Sequence, residues 1–490
     1  MPLPRPTRLR NALLLAFAAA SPAMAAETIT IEDLARRLQA LEQRLDASAP
    51  TAPTDPAGTL DPVALDQRLR VLERKLELQA EEATAKAATQ PTVKLDGKGL
   101  SIKAPATDGI ELRFKGLVQA DGRFYSGDDA VAQNDTFLLR RVEPTLEGSW
   151  GSLLGFRLQA QLAGDIATLN DAYVDLRFDP RATLRIGKFK EPVGLEQLQS
   201  AGSLAAIERG LPTELTPGRD YGVQLQGESG AGAVSYAVGV FNGTADGRDG
   251  VSSNPDNEFE YAGRVFWEPF KDEANAWSGL GFGLAASVGD QSGGGDTVLP
   301  RYRTPGQVRF FNYRSDVLTG GSDVVADGRH FRWSPQGYYY NGPFGLLAEY
   351  VASEQDLRLV GGASAGTRRR IDNDAYGVTA SVVLTGEDAS YKGVARPNHP
   401  FTIGAAGWGA LELVARYGQL EIDDAAFPLF ANPARSAAQA SSWGVGLNWY
   451  LTSNFKLVAN YTQTTFKGGA AGGSDREDEK AFFTRAQLSF

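Results

Sequence analysis

The 490-residue chain has no cysteine and only two histidines, His330 and His399. Without thiols there is no disulfide framework and no thiolate metal site. Two isolated imidazoles do not make a metal centre, so neither a metal nor a cofactor is expected. A hydrolytic centre is equally unsupported, because the two histidines fall at opposite ends of their segments and cannot share a base-nucleophile geometry. After Ala26 no apolar run reaches roughly 18 residues, which excludes a membrane-spanning helix. A net charge of −10 argues against nucleic acid as a partner.

What is present falls into three parts. Residues 1–25 carry a basic start (Arg5, Arg8, Arg10), a short apolar run from Leu13 to Ala20 and the small-x-small sequence Ala23-Met24-Ala25, the layout of a cleaved export signal. Residues 26–90 follow a helical period. Ile31, Leu34, Leu38, Leu41 and Leu45 form one stripe, and Leu65, Leu69, Leu72 and Leu76 form another, on either side of a Pro-rich break at 50–62. Each stripe spans about two heptads, consistent with a short coiled coil or with an amphipathic helix docked on its own domain; self-association is the reading favoured, since so short a helix is marginal alone.

From Ile110 the period changes to two. Ile110, Leu112, Phe114, Gly116 and Val118 share one face, and Glu111, Arg113, Lys115, Gln119 and Asp121 the other. The same division recurs in Phe156-Leu158-Ala160, in Ala172-Val174-Leu176-Phe178 and in Trp443-Val445-Leu447-Trp449. Apolar faces that end in Trp267, Tyr350, Tyr417 and Tyr461 match an interfacial aromatic girdle. About sixteen such segments, joined alternately by short turns such as Asn341-Gly342-Pro343 and by long polar loops (289–330, 353–372), predict an all-β fold. The expected architecture is a sixteen-stranded antiparallel transmembrane β-barrel over 91–490, preceded by the short N-terminal helical coiled-coil segment. The stretch 385–409 is long on the side where turns are short, and the pattern gives no reason for it. Phe490, the last residue of an amphipathic strand, is the expected signal for the barrel-insertion machinery.

Several segments together resemble the phosphate- and polyphosphate-selective porins, the O/P porin family. Gly187-Lys188-Phe189-Lys190-Glu191-Pro192-Val193-Gly194-Leu195-Glu196, with Ser200, Glu208-Arg209 and Pro217-Gly218-Arg219, is similar to that family's third-loop region. Gly409 to Tyr417 resembles its late-strand signature, and Asp171 to Asp175 and Arg140-Arg141 also match. The resemblance covers roughly Thr92 to Phe490. It implies a homotrimeric channel of the cell outer membrane, with lipid outside, the N-terminal segment in the periplasm and a third loop (about 190–220) folded into the lumen. It also implies passive diffusion of small anions, phosphate or polyphosphate among them. Carried over, it points to Arg141, Asp171, Arg209 and Arg219 at the constriction, with Arg140, and to Lys190, Glu196, Ser200 and Glu208 in the constriction loop. Strand parity adds Arg113 and Lys115 as pore residues. Parity alone turns Arg140 toward lipid unless a bulge re-aims it. Two departures count against phosphate: no lysine occurs between Lys190 and Lys271, and Leu117 stands where an arginine is expected. A general or sugar-preferring solute porin without phosphate specificity is the alternative, and a purely structural barrel tethered through its coiled coil is a third reading.

Overall fold

The computed structural model describes residues 91–490 except 106–108, 128–132, 230, 272, 296, 317 and 319–320. Of the segment before 91 it describes Arg74, Lys75, Glu77, Leu78 and Glu81, all helical. The export signal, the Pro-rich break and both leucine stripes lie outside the described residues. Residues 1–81 and 82–490 form separate units.

In the second unit sixteen strands form the barrel wall: β1 (Ile110–Ser126), β2 (Thr136–Trp150), β3 (Leu154–Gln161), β4 (Thr168–Asp179), β5 (Ala182–Lys190), β6 (Arg219–Ser229), β7 (Val234–Phe241) and β8 (Glu260–Trp267), then β9 (Leu280–Gly293), β10 (Asp323–Asn341), β11 (Phe344–Val360), β12 (Arg368–Val383), β13 (Ala410–Glu421), β14 (Ala437–Tyr450), β15 (Phe455–Gly468) and β16 (Glu479–Ser489). Each pairs antiparallel with the next, and β16 closes on β1 through Phe482↔Phe124 and Leu488↔Val118. Closure leaves no unpaired wall edge, which is what a sheet surrounded by hydrocarbon requires. A small hairpin, Thr92–Asp96 with Gly99–Lys103, extends β1 below the end of β16.

The alternation read from the sequence is the division between outside and inside. On β14, Trp443, Val445 and Leu447 are exposed outside, while Ser442 and Asn448 are buried inside. Aromatic pairs ring the wall at two levels. Toward the long loops, Tyr350 faces Tyr376, Tyr417 faces Trp443 and Tyr461 faces Phe482 across adjacent strands. Toward the short turns lie Trp267 with Phe282, Phe401 with Trp449, and Phe114 with Phe490. The seven residues from Trp443 to Trp449 span about 20 Å along the strand at ~3.3 Å per step, between the two aromatic levels of the wall.

Two loops are shorter than the sequence pattern predicts. The stretch 353–372 is mostly strand, because β11 runs to Val360 and β12 starts at Arg368. Alternation continues there with inverted polarity. Leu357, Leu359 and Ile371 point inward and are buried, while Asp356, Arg358 and Asp372 point outward, as fits strands that have left the bilayer. The stretch 289–330 is likewise strand at both ends. Its middle is not a polar loop but a hairpin, Arg301–Arg303 with Arg309–Asn312, that buries Tyr302, Phe310 and Phe311 against Leu211, Leu215, Leu357, Leu359, Ile371 and Leu420. This apolar plug fills the lumen beside β11–β15.

The turn 384–409 now has a structural reason. It enters the lumen from the short-turn side. Tyr391 donates its hydroxyl to Leu195 O (2.6 Å) and accepts Gln199 Nε2 on its own carbonyl (2.6 Å). Its ring stacks on Tyr338 at 5.4 Å. Its length is what it takes to reach the loop after β5 and support it from below.

Candidate functional site

The connection between β5 and β6, residues 191–218, folds into the barrel. Its apolar side chains are spaced along it so that each finds a different wall. Leu195 packs with Phe266 and Leu347, Ile207 with Val458, Ala481 and Phe483, and Leu211 and Leu215 join the apolar plug.

Polar anchors fix it further. Glu208, almost fully buried, accepts from Arg140 Nε (2.7 Å) and Nη2 (3.1 Å), Arg123 Nη2 (3.2 Å) and Arg485 Nη2 (2.9 Å). Burial alone would raise its carboxyl, but Arg140, Arg485 and Arg141 hold it well below the usual carboxylate range. Glu196 accepts the Gly210 amide at 2.7 Å and is paired with Arg416, tying the loop to itself and to β13. Glu349 of β11 accepts the amides of Leu195 and Glu196. Glu208, Glu196 and Arg416 are therefore fasteners and not walls of the passage.

Arg140 does point inward. Gln119 faces Arg141 and Ala120 faces Leu139, so Arg140 is the extra residue of a bulge, and both arginines enter the lumen. A second bulge on β4 pairs Gln159 with Asp171 and Ala160 with Leu169, turning Asn170 inward onto Glu143 (3.3 Å). Nothing in the sequence signals Asn170. Arg485 was legible from parity, since the outward run Phe482, Thr484, Ala486 and Leu488 puts it inside, where it binds Asp121 at 2.7 and 2.9 Å.

Two cavities border this loop, and a third lies on the long-loop side of the barrel. The first, about 640 Å³, opens toward the short turns and brings together Arg141, Lys190, Ser200, Arg209, Arg219 and Asp171. Arg219 donates to Asp171 at 2.7 Å, and Asp171 also pairs with Arg157 at 3.1 Å. Arg141 donates to the neutral Gln119 (2.8 Å), with Glu143 only at 3.7 Å. Lys190 and Arg209 donate to loop carbonyls, both reaching Gln199 O at 2.9 and 2.8 Å, so among the described residues neither charge is offset by an ion pair. Burial lowers the Arg209 guanidinium below its ordinary value, with Glu196 opposing. The second cavity, about 320 Å³, lies on the same side and includes Lys115, Leu117, Lys392 and Lys456. The third, about 540 Å³, is on the long-loop side, with Arg123, Arg140, Arg303 and Arg309. Seven cations line the first cavity, three more the second and four the third, against three carboxylates in all: Glu143, Asp171 and Glu228. One parity assignment shifts: Arg113 sits on the inner face but pairs with Glu111 and Glu147 away from the inward loop. On β10, Arg332 is sealed in a network with Asp246 and Glu260.

A family model for phosphate-selective porin O and P matches residues 112–490, the whole barrel wall from the second residue after Ile110. The chain belongs to that porin family. It is thus an outer-membrane channel protein. An uncharacterized protein of Caulobacter vibrioides is 25% identical over 458 residues, covering 89% of this chain and 84% of that protein. The fold is similar to the anion-selective porin from Comamonas acidovorans (14% identity, TM-score 0.48, covering 78% of this chain and 100% of that one). It is also similar to the outer membrane channel DcaP of Acinetobacter baumannii (11%, TM-score 0.47, 78% and 98%). Among the described residues no helix is long and apolar enough to cross a membrane; this porin crosses with strands.

Proposed function

We propose that the porin is a passive diffusion channel for small anions, and that Arg141, Lys190, Arg209 and Arg219 set its preference. The observation that carries this reading is the excess of cations over carboxylates in all three cavities, sharpened by Lys190 and Arg209, whose donors are spent on carbonyls. Low-dielectric walls focus such charges on the passage, so the local potential is positive although the chain carries −10. Phosphate and polyphosphate are admitted but held weakly, because the constriction loop supplies no lysine after Lys190. Removing one cation changes the energy of an ion in contact with it by a few kcal/mol at an effective dielectric of about 20. Arg209→Ala and Arg141→Ala should therefore each lower anion-to-cation permeability in planar bilayers, most at low salt. Phosphate should block chloride current only well above micromolar concentration. Unchanged reversal potentials in both variants would favour the general-solute porin instead.

The barrel is further proposed to work as a homotrimer whose N-terminal segment lies in the periplasm, supported by the leucine stripes of 31–45 and 65–76. Deleting residues 27–88 should leave a conducting, heat-modifiable barrel that dissociates more readily. A truncated chain that never inserts would contradict that division of labour.

A further inference from the structure

Beside the constriction, the first cavity has a recess whose lining differs from the arginine-rich part. The cross-strand register sets it out in two rows. Gln226 faces Ala237, which faces Arg264; one step along, Gln224 faces Gly239. Directly opposed residues share a face, so between Gln226 and the guanidinium of Arg264 β7 presents only the methyl of Ala237. With strands about 4.8 Å apart, Gln226 and Arg264 stand roughly 10 Å from each other. The gap between them is open at Ala237, which lines the cavity, while the Phe241 ring lies over Gly239 and closes the far end.

The chemistry at the two ends is unequal. Arg264 gives its Nε–H to Gln336 at 2.9 Å and its guanidinium lies 4.5 Å over the Phe266 ring. Both partners are neutral, so the charge remains for a solute. Gln224 donates its amide to Gln226 Oε1 at 2.6 Å, yet its own Oε1 is buried with no hydrogen-bond partner. The residue is only 4% exposed. A buried acceptor left unserved costs about 1–3 kcal/mol, and a hydroxyl brought in by a solute can serve it in place of lumen water. Inorganic phosphate or chloride would satisfy the cation and leave the amide end unmatched.

We infer that this recess is a subsite for polyhydroxylated organic anions of sugar-acid size, with the carboxylate on Arg264 and hydroxyls on Gln224 and Gln226. The assignment rests on the anion-channel reading and narrows its solute class.

The test compares two six-carbon monocarboxylates, gluconate and hexanoate, as blockers of chloride current through the full-length porin in planar bilayers. Gluconate should block at about tenfold lower concentration, the equivalent of one net hydrogen bond. In Gln224→Leu, and in Ala237→Leu, which fills the gap, the ratio of the two blocking concentrations should fall toward one. The ratio is insensitive to any general loss of conductance. Equal block by both acids in the wild type, or an unchanged ratio in both variants, would overturn the subsite. Zero-current potentials taken in the same membranes separate the two claims: a cation-preferring wild type would sink the anion reading itself, whereas an anion-preferring pore with equal block sinks only the recess.

Discussion

Glu208→Ala is expected to free the middle of the constriction loop and raise single-channel conductance. The carboxylate is the common acceptor of Arg140, Arg123 and Arg485, and no other loop side chain reaches this part of the wall with a charge. Asp121 keeps Arg485 and part of Arg123, but Arg140 loses its only carboxylate partner among the described residues. Breaking a buried pair by removing one member typically costs 3–5 kcal/mol, roughly, because the other charge stays behind. Here Arg123 and Arg140 also line the third cavity, where water can take over part of the lost contact, so the cost should fall toward the lower end of that range. The variant should unfold at lower temperature in gel-shift assays, and with Arg123 and Arg140 less compensated its anion preference should rise. In the wild type the same anchor resists acid. Its folded value lies well below the ordinary one of about 4.5. Its contribution is therefore complete above about 4.5 and is lost only as pH falls through the depressed value. The hold of Glu208 on its arginines should therefore not change between pH 7 and about 4.5. A Glu208→Ala channel indistinguishable from wild type in conductance and heat stability would show that the loop is held by other contacts.

Tyr391→Ala should loosen the first part of the same loop from the opposite side. The ring stacks on Tyr338 and its hydroxyl holds Leu195 O, while Leu195 is fully buried against Phe266 and Leu347. Truncating a packed aromatic costs roughly 3–5 kcal/mol, and a lost hydrogen bond adds about 1 kcal/mol. Burial pushes the Tyr391 hydroxyl far above its ordinary value, so the bond to Leu195 O persists across the accessible pH range. The expected record shows larger, noisier openings, since residues 195–199 would sample more than one position. Tyr391→Phe keeps the ring and should recover most of the quiet behaviour. Steady wild-type openings in Tyr391→Ala would mean that the turn 384–409 merely rests against the loop.

Much of the barrel was legible because lipid and water impose opposite demands on alternate residues of every strand; sixteen segments and the inward faces of β1, β4 and β14 follow from that alone. The same rule failed where its physical basis ended. Beyond the bilayer, Leu357, Leu359 and Ile371 are inside and charges are outside, so the inverted alternation does not match the pattern of a lipid-facing strand. The plug built from Tyr302, Phe310 and Phe311 shows no period, because the two strands of its hairpin are only three and four residues long. Bulges at Arg140 and Asn170 each depend on one residue out of step, which parity cannot place. At the constriction, residue types were readable and partners were not. Asp121 and Arg485 meet only when the last strand closes on the first, and Glu208 finds its arginines only after the loop folds in. What the sequence presents as a balanced mixture of charges is sorted by folding, with many acids bound to arginines and with Lys190 and Arg209 on carbonyls.

That sorting is most directly tested by the zero-current potential of the wild-type porin across a tenfold KCl gradient at low total salt. The sign expected is that of chloride moving more readily than potassium, with the preference shrinking as salt screens the lining. A potential of potassium sign, or one that salt does not change, would contradict a passage governed by uncompensated cations.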